Sequence, residues 1–297
     1  MFGLPAMQML DILTDDIAQG KVVNVASVPQ RSPFRYPGGK TWLVPKIRQW
    51  LSIWGHRECE LIEPFAGGGI VSLTAVAEGY VRSSTMVELD PDIAAVWHTI
   101  LNGRGRLLAE RIVNYDLSPE SAQQSLSLAH RDKLDHAFAT ILRNRINRGG
   151  ILAPGAGIVK NGENGKGIAS RWYPQTLQRR ILDIVQLKHK LKFVEGDGIG
   201  YMREQEARPD AVYFIDPPYL GAGRRLYTYS EIDHAELFRV AASLAGSFLM
   251  TYDAAPEIVG LAKQHGFAVR AVPMKSTHHA CKNELVISRN LDWVDKS

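Results

Sequence analysis

Apolar positions along the chain fall into short unbroken runs separated by longer amphipathic stretches, the alternation expected of a largely parallel α/β fold. Residues 212–215 are apolar, β-branched or aromatic throughout, and the run stops at Asp216-Pro217-Pro218-Tyr219. Neither proline can donate to a sheet ladder, so the strand must end there. Residues 61–63 read as another strand, followed by a glycine turn and a helix through about residue 78. Residues 84–89 predict a strand, 90–101 a helix, and 118–148 a mostly helical region that opens on Ser118-Pro119-Glu120. The remaining pattern predicts a strand at 192–195, a helix at 232–245, a strand at 247–252 and a helix at 255–265. Residues 267–272 and 284–288 have the look of a closing antiparallel pair. The first 30 residues read as an appended segment, with a short amphipathic helix near residues 7–18 and then a polar link.

This arrangement puts Asp216 at the carboxyl end of a buried strand, the edge where open α/β sheets place their ligands. Proline offers a carbonyl and no N–H. Asp216 and the Pro217 carbonyl are therefore expected to form a donor-free acceptor pair beside the Tyr219 ring, suited to the exocyclic amine of a planar base. The run Leu61-Ile62-Glu63-Pro64-Phe65-Ala66-Gly67-Gly68-Gly69-Ile70 reads as strand, turn and helix start. Its glycines let main chain approach a ligand, and the helix N-terminus presents free N–H groups. Glu88 follows about twenty residues on, at the end of the next strand, where a carboxylate can accept from ribose hydroxyls. The glycine spacing is not GxGxxG, so a nucleoside with an amino-acid tail fits better than a dinucleotide. Asp197, at the end of a third strand, is a candidate partner for an adenine amino group, with a turn-forming role equally open. Gly39-Lys40-Thr41 resembles the tail of a P-loop, but the position five before Gly39 is Phe34, where that pattern needs glycine.

Composition narrows the class. The 297 residues are 45% hydrophobic and 22% charged, values of a soluble globular protein. No apolar run approaches a membrane span. Cys59 and Cys281 lie far apart, which predicts a reducing compartment. His278, His279 and Cys281 cluster without a second ligand pair, so no metal site is expected. The net charge of +4 hides an uneven distribution. Residues 141–192 hold 11 basic and 2 acidic residues, an excess of +9 that leaves −5 for the rest. Interleaved with Trp172 and Tyr173, this stretch is the footprint of a phosphate-backbone partner, or else a solvated helix face. Residues 149–170 contain seven glycines and read as a mobile loop. Residues 221–230 form a second flexible, basic loop.

Three pieces, in this order, resemble one family: residues 34–40, then 63–69 with Phe65, Gly67 and Gly69, then Asp216–Tyr219. They look like the S-adenosylmethionine-dependent DNA adenine-N6 methyltransferases of the Dam type, and residues 282–287 look like that family's late strand. The resemblance covers about residues 31–290. It implies a Rossmann-like α/β methyltransferase sheet with helices on both faces, plus a smaller, mostly helical target-recognition domain. The implied division is an extension at 1–30, a catalytic domain at 31–115 and 193–297, and a recognition domain at 116–192. Tyr36, Lys40, Glu63, Phe65, Gly67, Gly69, Glu88, Asp197 and Asp216 are the implied S-adenosyl-L-methionine site, with Glu88 standing where Asp is more usual. Asp216, Pro217, Pro218 and Tyr219 are the implied catalytic motif. Arg143, Arg145, Asn147, Arg148, Lys160, Lys166, Arg171, Arg224 and Arg225 are the expected contacts to double-stranded DNA. The stretch 142–150 matches the family's GATC-reading segment only in part, so no target sequence carries over. A monomer in the cytoplasm of a bacterial or phage-infected cell is expected. Cytosine-N4 or RNA amine methylation uses similar chemistry, and a non-catalytic DNA-binding module would explain the basic stretch alone.

Overall fold

The structure, a computed structural model, describes residues 28–35, 39–54, 58–127, 132–162, 165–220, 228–229, 231–275 and 281–294. The expected helix near residues 7–18, and Tyr36, Arg224, Arg225, His278 and His279, lie outside the described residues.

Seven strands form one mixed sheet in the order β3-β2-β1-β4-β5-β7-β6. They are β1 (Glu60–Glu63), β2 (Ser83–Glu88), β3 (Leu191–Glu195), β4 (Ala211–Ile215), β5 (Ser247–Asp253), β6 (Ala268–Lys275) and β7 (Cys281–Ser288). The first five are mutually parallel, whereas β7 runs antiparallel to both β5 and β6. The order reverses direction between β1 and β4, so the carboxyl ends of those two strands flank the crevice at the switch point. β4 is buried along its whole length, as its unbroken apolar run demands. Because β7 runs the other way, its early residues arrive at the same edge as the ends of the parallel strands.

The helices in chain order are α1 (Val44–Trp54), α2 (Ile70–Ala77), α3 (Pro91–Thr99), α4 (Gly105–Val113), α5 (Pro119–Ser127), α6 (Lys133–Ile146), α7 (Pro174–Leu187), α8 (Gly198–Glu204), α9 (His234–Ser243) and α10 (Pro256–Gln264). One apolar cluster joins α1, α2, α3 and one sheet face, and a second joins α9, α10 and the other face. The basic helical segment does not carry a core of its own. Phe138, Ile141, Leu177 and Ile181 belong to the same cluster as Leu61, Val71 and Val96. α1, α4, α7 and α8 go beyond the elements read from sequence. In α7 the apolar side chains Leu177, Ile181 and Ile184 recur at helical spacing beneath the basic residues. Among the described residues no helix is long and apolar enough to cross a membrane.

The turn after β1 is held by its surroundings. Gly69 has φ +61°, and a Cβ there would lie 2.7 Å from Met86 Sδ and 2.9 Å from Trp97. Trp97 Nε1 donates to the Gly67 carbonyl at 2.9 Å, so the indole both fills the space beneath the turn and fixes its backbone. Gly69→Ala should combine a left-handed penalty with an overpacked neighbour and lose about 2–4 kcal/mol. Urea unfolding monitored by circular dichroism measures this, and an unchanged midpoint would contradict the packing.

Candidate active site

A cavity of about 1000 Å³ opens at the carboxyl edge of the sheet, lined by residues from the ends of β1, β2, β3 and β4 and by Glu284 of β7. Asp216 and the glycine turn, expected from sequence to share a cavity, both line it, as do Lys40, Glu63, Phe65, Glu88 and Asp197.

Lys40 sits at the centre of the catalytic side. It is only 3% exposed, with Nζ 2.8 Å from Asp216 Oδ2 and 3.6 Å from Glu284 Oε1. Burial alone would lower its pKa, but the two carboxylates outweigh burial and hold the ammonium above its ordinary range. Thr251 Oγ1 donates to Asp216 Oδ1 at 2.7 Å, and the Tyr219 hydroxyl lies 3.1 Å from Asp216 Oδ1 and 2.7 Å from Glu284 Oε1. Asp216 is therefore an acceptor with part of its capacity already taken. Oδ1 accepts from Thr251, and Oδ2, which takes Lys40, retains one lone-pair site. Glu284 Oε2 is buried without a hydrogen-bond partner. Burial pushes the Glu284 carboxyl up, and Lys40 partly offsets this.

The Tyr219 ring is engaged within the protein. It stacks on Tyr252 with centroids 5.7 Å apart, and Lys40 Nζ lies over it at 5.1 Å. Its hydroxyl is spent on the two acids. Pro218, not Tyr219, lines the cavity, and Pro217 is buried.

Two acids on the cofactor side serve the fold as well. The Glu63 carboxylate accepts from the Ser72 amide at 2.9 Å and from the Ser72 hydroxyl. Gly69 has no side chain to cap α2, and Glu63 caps it from the end of β1 instead. Burial pushes the Glu63 carboxyl up to about 8, against the lowering effect of the Ser72 donors. Glu88 receives the amides of Gly67, Leu89 and Asp90 at 2.9, 2.9 and 3.0 Å. Burial pushes it up to about 7. Three of its roughly four lone-pair sites are thus used, so its first task is to hold the glycine turn. Asp197 caps α8, accepting from Ile199 and Gly200 at 3.3 and 2.8 Å, the turn-forming role that the sequence left open.

The expected DNA contacts separate. Arg148, Lys160 and Lys166 are exposed. Arg143 instead pairs with Asp92 of α3 at 2.7 Å, beside His136 at 2.6 Å from the same carboxylate. Asn147 is buried and donates to the Ile151 carbonyl at 2.7 Å. Arg145 is also buried, donates to the Pro33 carbonyl and lines the cavity, as does Arg171. The glycine loop is anchored where Asn144 Nδ2 donates to the carbonyls of Arg35 and Gly150 at 2.8 and 2.7 Å.

The sequence reading missed Thr251, Glu284, Arg35 and Arg180 as site residues. Glu284 had a readable signal, a carboxylate opening the apolar run Leu285-Val286-Ile287. Arg180 was counted in the basic stretch, but its direction was not legible.

Residues 36–85 match the family model described as D12 class N6 adenine-specific DNA methyltransferase. The match runs from the segment before α1 into β2 and so includes Lys40 and the whole glycine turn. No curated protein matches the chain. Among solved structures, the chain is similar to the rRNA methyltransferase aviRa from Streptomyces viridochromogenes. Identity is 12%, 92% of this chain and 96% of that one are covered, and the TM-score is 0.42. It is also similar to precorrin-6y C5,15-methyltransferase from Geobacter metallireducens at 9% identity, covering 93% and 95%, with a TM-score of 0.39. An rRNA methylase from Streptococcus thermophilus is 6% identical, covering 84% and 95%, with a TM-score of 0.35.

The raised Glu63 carboxyl has a stability consequence. Between pH 4.5 and about 8 the folded chain keeps a proton that the unfolded chain has released. Stability therefore falls as pH rises through that window. Glu63→Gln, which keeps an acceptor for Ser72, should flatten the decline. Chemical denaturation midpoints between pH 5 and 8 check it, and an equal slope in both proteins would contradict the assignment.

Proposed function

We propose that the chain transfers a methyl group from S-adenosyl-L-methionine to N6 of an adenine flipped out of double-stranded DNA. The observation that carries this reading is the shared cavity, which holds an amine-accepting carboxylate at one strand end and a glycine turn with acidic neighbours at the next. At about 1000 Å³ it lies at the upper end of ligand pockets, enough for a cofactor and a base together.

The residues fit the cofactor. Gly68 and Gly69 line the cavity, bringing main chain to its wall, and Asp90 and Asp197 lie beside them with Glu63 and Glu88, two carboxyls whose ionisation burial opposes. That suits a ligand bearing both a sulfonium and an ammonium. A bound cation would favour the ionised form of Glu63 and Glu88, whose carboxyls burial pushes up. When bound, S-adenosyl-L-methionine supplies an electrophilic methyl carbon.

The remaining chemistry belongs to this chain. The free lone-pair site on Asp216 Oδ2 accepts one amine hydrogen, whereas Pro217, expected to accept the other, does not line the cavity. Holding that hydrogen localises the nitrogen lone pair, which in free adenine is drawn into the ring, and directs it away from the carboxylate. The nitrogen would become cationic as the N–C bond formed and the methyl–sulfur bond broke, its electron pair staying on the neutral thioether that leaves, so a fixed carboxylate stabilises the transition state more than the ground state. The methylated nitrogen then releases a proton along the hydrogen bond to Asp216. Lys40 and Thr251, at 2.8 and 2.7 Å, fix the carboxylate so that it need not reorganise during the reaction.

Asp216→Asn keeps the shape and removes the charge. Methyl transfer should drop by about 10²–10³-fold while S-adenosylmethionine binding changes little. Tritiated-methyl incorporation and calorimetric cofactor titration measure the two quantities. Near-wild-type incorporation would remove Asp216 from the mechanism. Sequencing of modified bases in DNA and RNA from expressing cells tests the substrate, and a methyl group found only in RNA or only on cytosine would replace the adenine reading.

A further inference from the structure

The cavity has a second, oppositely charged wall. Arg35, Arg145, Arg171 and Arg180 line it together with Tyr173. Arg145 is 4% exposed, and its Nε is buried without an acceptor. Its terminal nitrogen donates to the Pro33 carbonyl, and Arg180 donates to the Ser32 carbonyl at 3.0 Å. Those acceptors are neutral. Among the described residues Arg35, Arg145 and Arg180 have no carboxylate partner. Burial first, and then the charges of Arg180 and Arg35, lower the Arg145 pKa to about 9. Arg35 is likewise pushed down by burial and by Arg171. Gathering guanidinium groups this closely without a counter-charge is costly unless an anion completes the site.

We infer that Arg35, Arg145 and Arg180 form a phosphate-binding subsite inside the catalytic cavity. Resting on the amine-methylation reading, the occupant is a phosphate joined to the sugar of the nucleotide whose base reaches Asp216. Guanidinium forks match phosphate oxygens in pairs, and three of them exceed what a single carboxylate needs. The two walls then divide the labour. The acidic wall takes the cationic donor and the amine, while the arginine wall takes the backbone of the extruded nucleotide. The subsite also explains why the +9 stretch faces partly inward. Arg145 and Arg180 serve one nucleotide in the cavity, whereas exposed Arg148, Lys160 and Lys166 are left for the flanking duplex.

The test uses the full-length protein saturated with S-adenosylhomocysteine. It is titrated by calorimetry or ligand-observed NMR with 2′-deoxyadenosine, its 3′- and 5′-monophosphates, and inorganic phosphate. One monophosphate should bind at least roughly tenfold tighter than the nucleoside. Arg35→Ala and Arg180→Ala should each remove most of that advantage and leave nucleoside and S-adenosylhomocysteine affinities unchanged, and Arg180→Lys should restore part of it. Both positions are less buried than Arg145, and unfolding midpoints for each variant show that the fold is intact. Equal affinities for nucleoside and monophosphates in the wild type would overturn the subsite while leaving the adenine reading standing. Arginine-dependent binding of inorganic phosphate with no contribution from the nucleoside would retain the subsite and sink the adenine reading. A loss confined to S-adenosylhomocysteine would reassign the arginines to the cofactor carboxylate and overturn the proposal.

Discussion

A buried ammonium between two carboxylates is the constraint on which the site depends. Removing Lys40 from water costs several kcal/mol, which the charges of Asp216 and Glu284 offset. The converse also holds, because the Tyr219 hydroxyl, which donates its one proton to Glu284 at 2.7 Å, lies 3.1 Å from Asp216, and two acids this close repel one another without the cation. The group carries a surplus of one negative charge, fixed at the cavity wall. A carboxylate tied by an ammonium, a threonine and a tyrosine cannot swing toward solvent. Its remaining lone pair has one direction, and that direction defines where an amine can be held.

The same economy recurs around the glycine turn. Glu63 and Glu88 each do a structural task, one capping α2 and the other receiving the amides of the turn. Each also contributes potential to the cavity. Their oxygens are largely satisfied before any ligand arrives, so they hold their geometry in its absence. Ligand recognition on this wall is therefore carried by preorganised charge and exposed backbone more than by free side-chain acceptors.

The sheet was readable because its strands are short apolar runs stopped by proline, glycine or a carboxylate, and such signals are local. The ends of β1, β2, β3 and β4 all fall within a residue or two of where the pattern ends. The helices were less legible. α4 begins just past Gly103, whose φ of +94° breaks the preceding helix, and the two segments merge into one ambiguous pattern. The expected DNA contacts separate for one reason. Arg143 and Arg145 are two apart on α6 and cannot face the same way. One turns to Asp92 on α3, and the other turns into the cavity. Counting charge along the chain cannot tell these directions apart. Nor could the sequence show that Thr251 and Glu284 meet Asp216, since they arrive on β5 and β7 through the sheet order.

The antiparallel placement of β7 has a consequence for how the molecule comes into being. In chain order Lys40 comes first, the strand that ends at Asp216 later, and Glu284 after both. While the nascent chain is still emerging, the lysine has at most one of its two acids, and the sheet has no β7 to bring the second. The glycine turn can fold long before this, since Glu63, Glu88 and Trp97 are all made early. The glycine turn thus matures ahead of the Lys40 cluster. Lys40 gains its second acid only once β7 has been made and paired with β5.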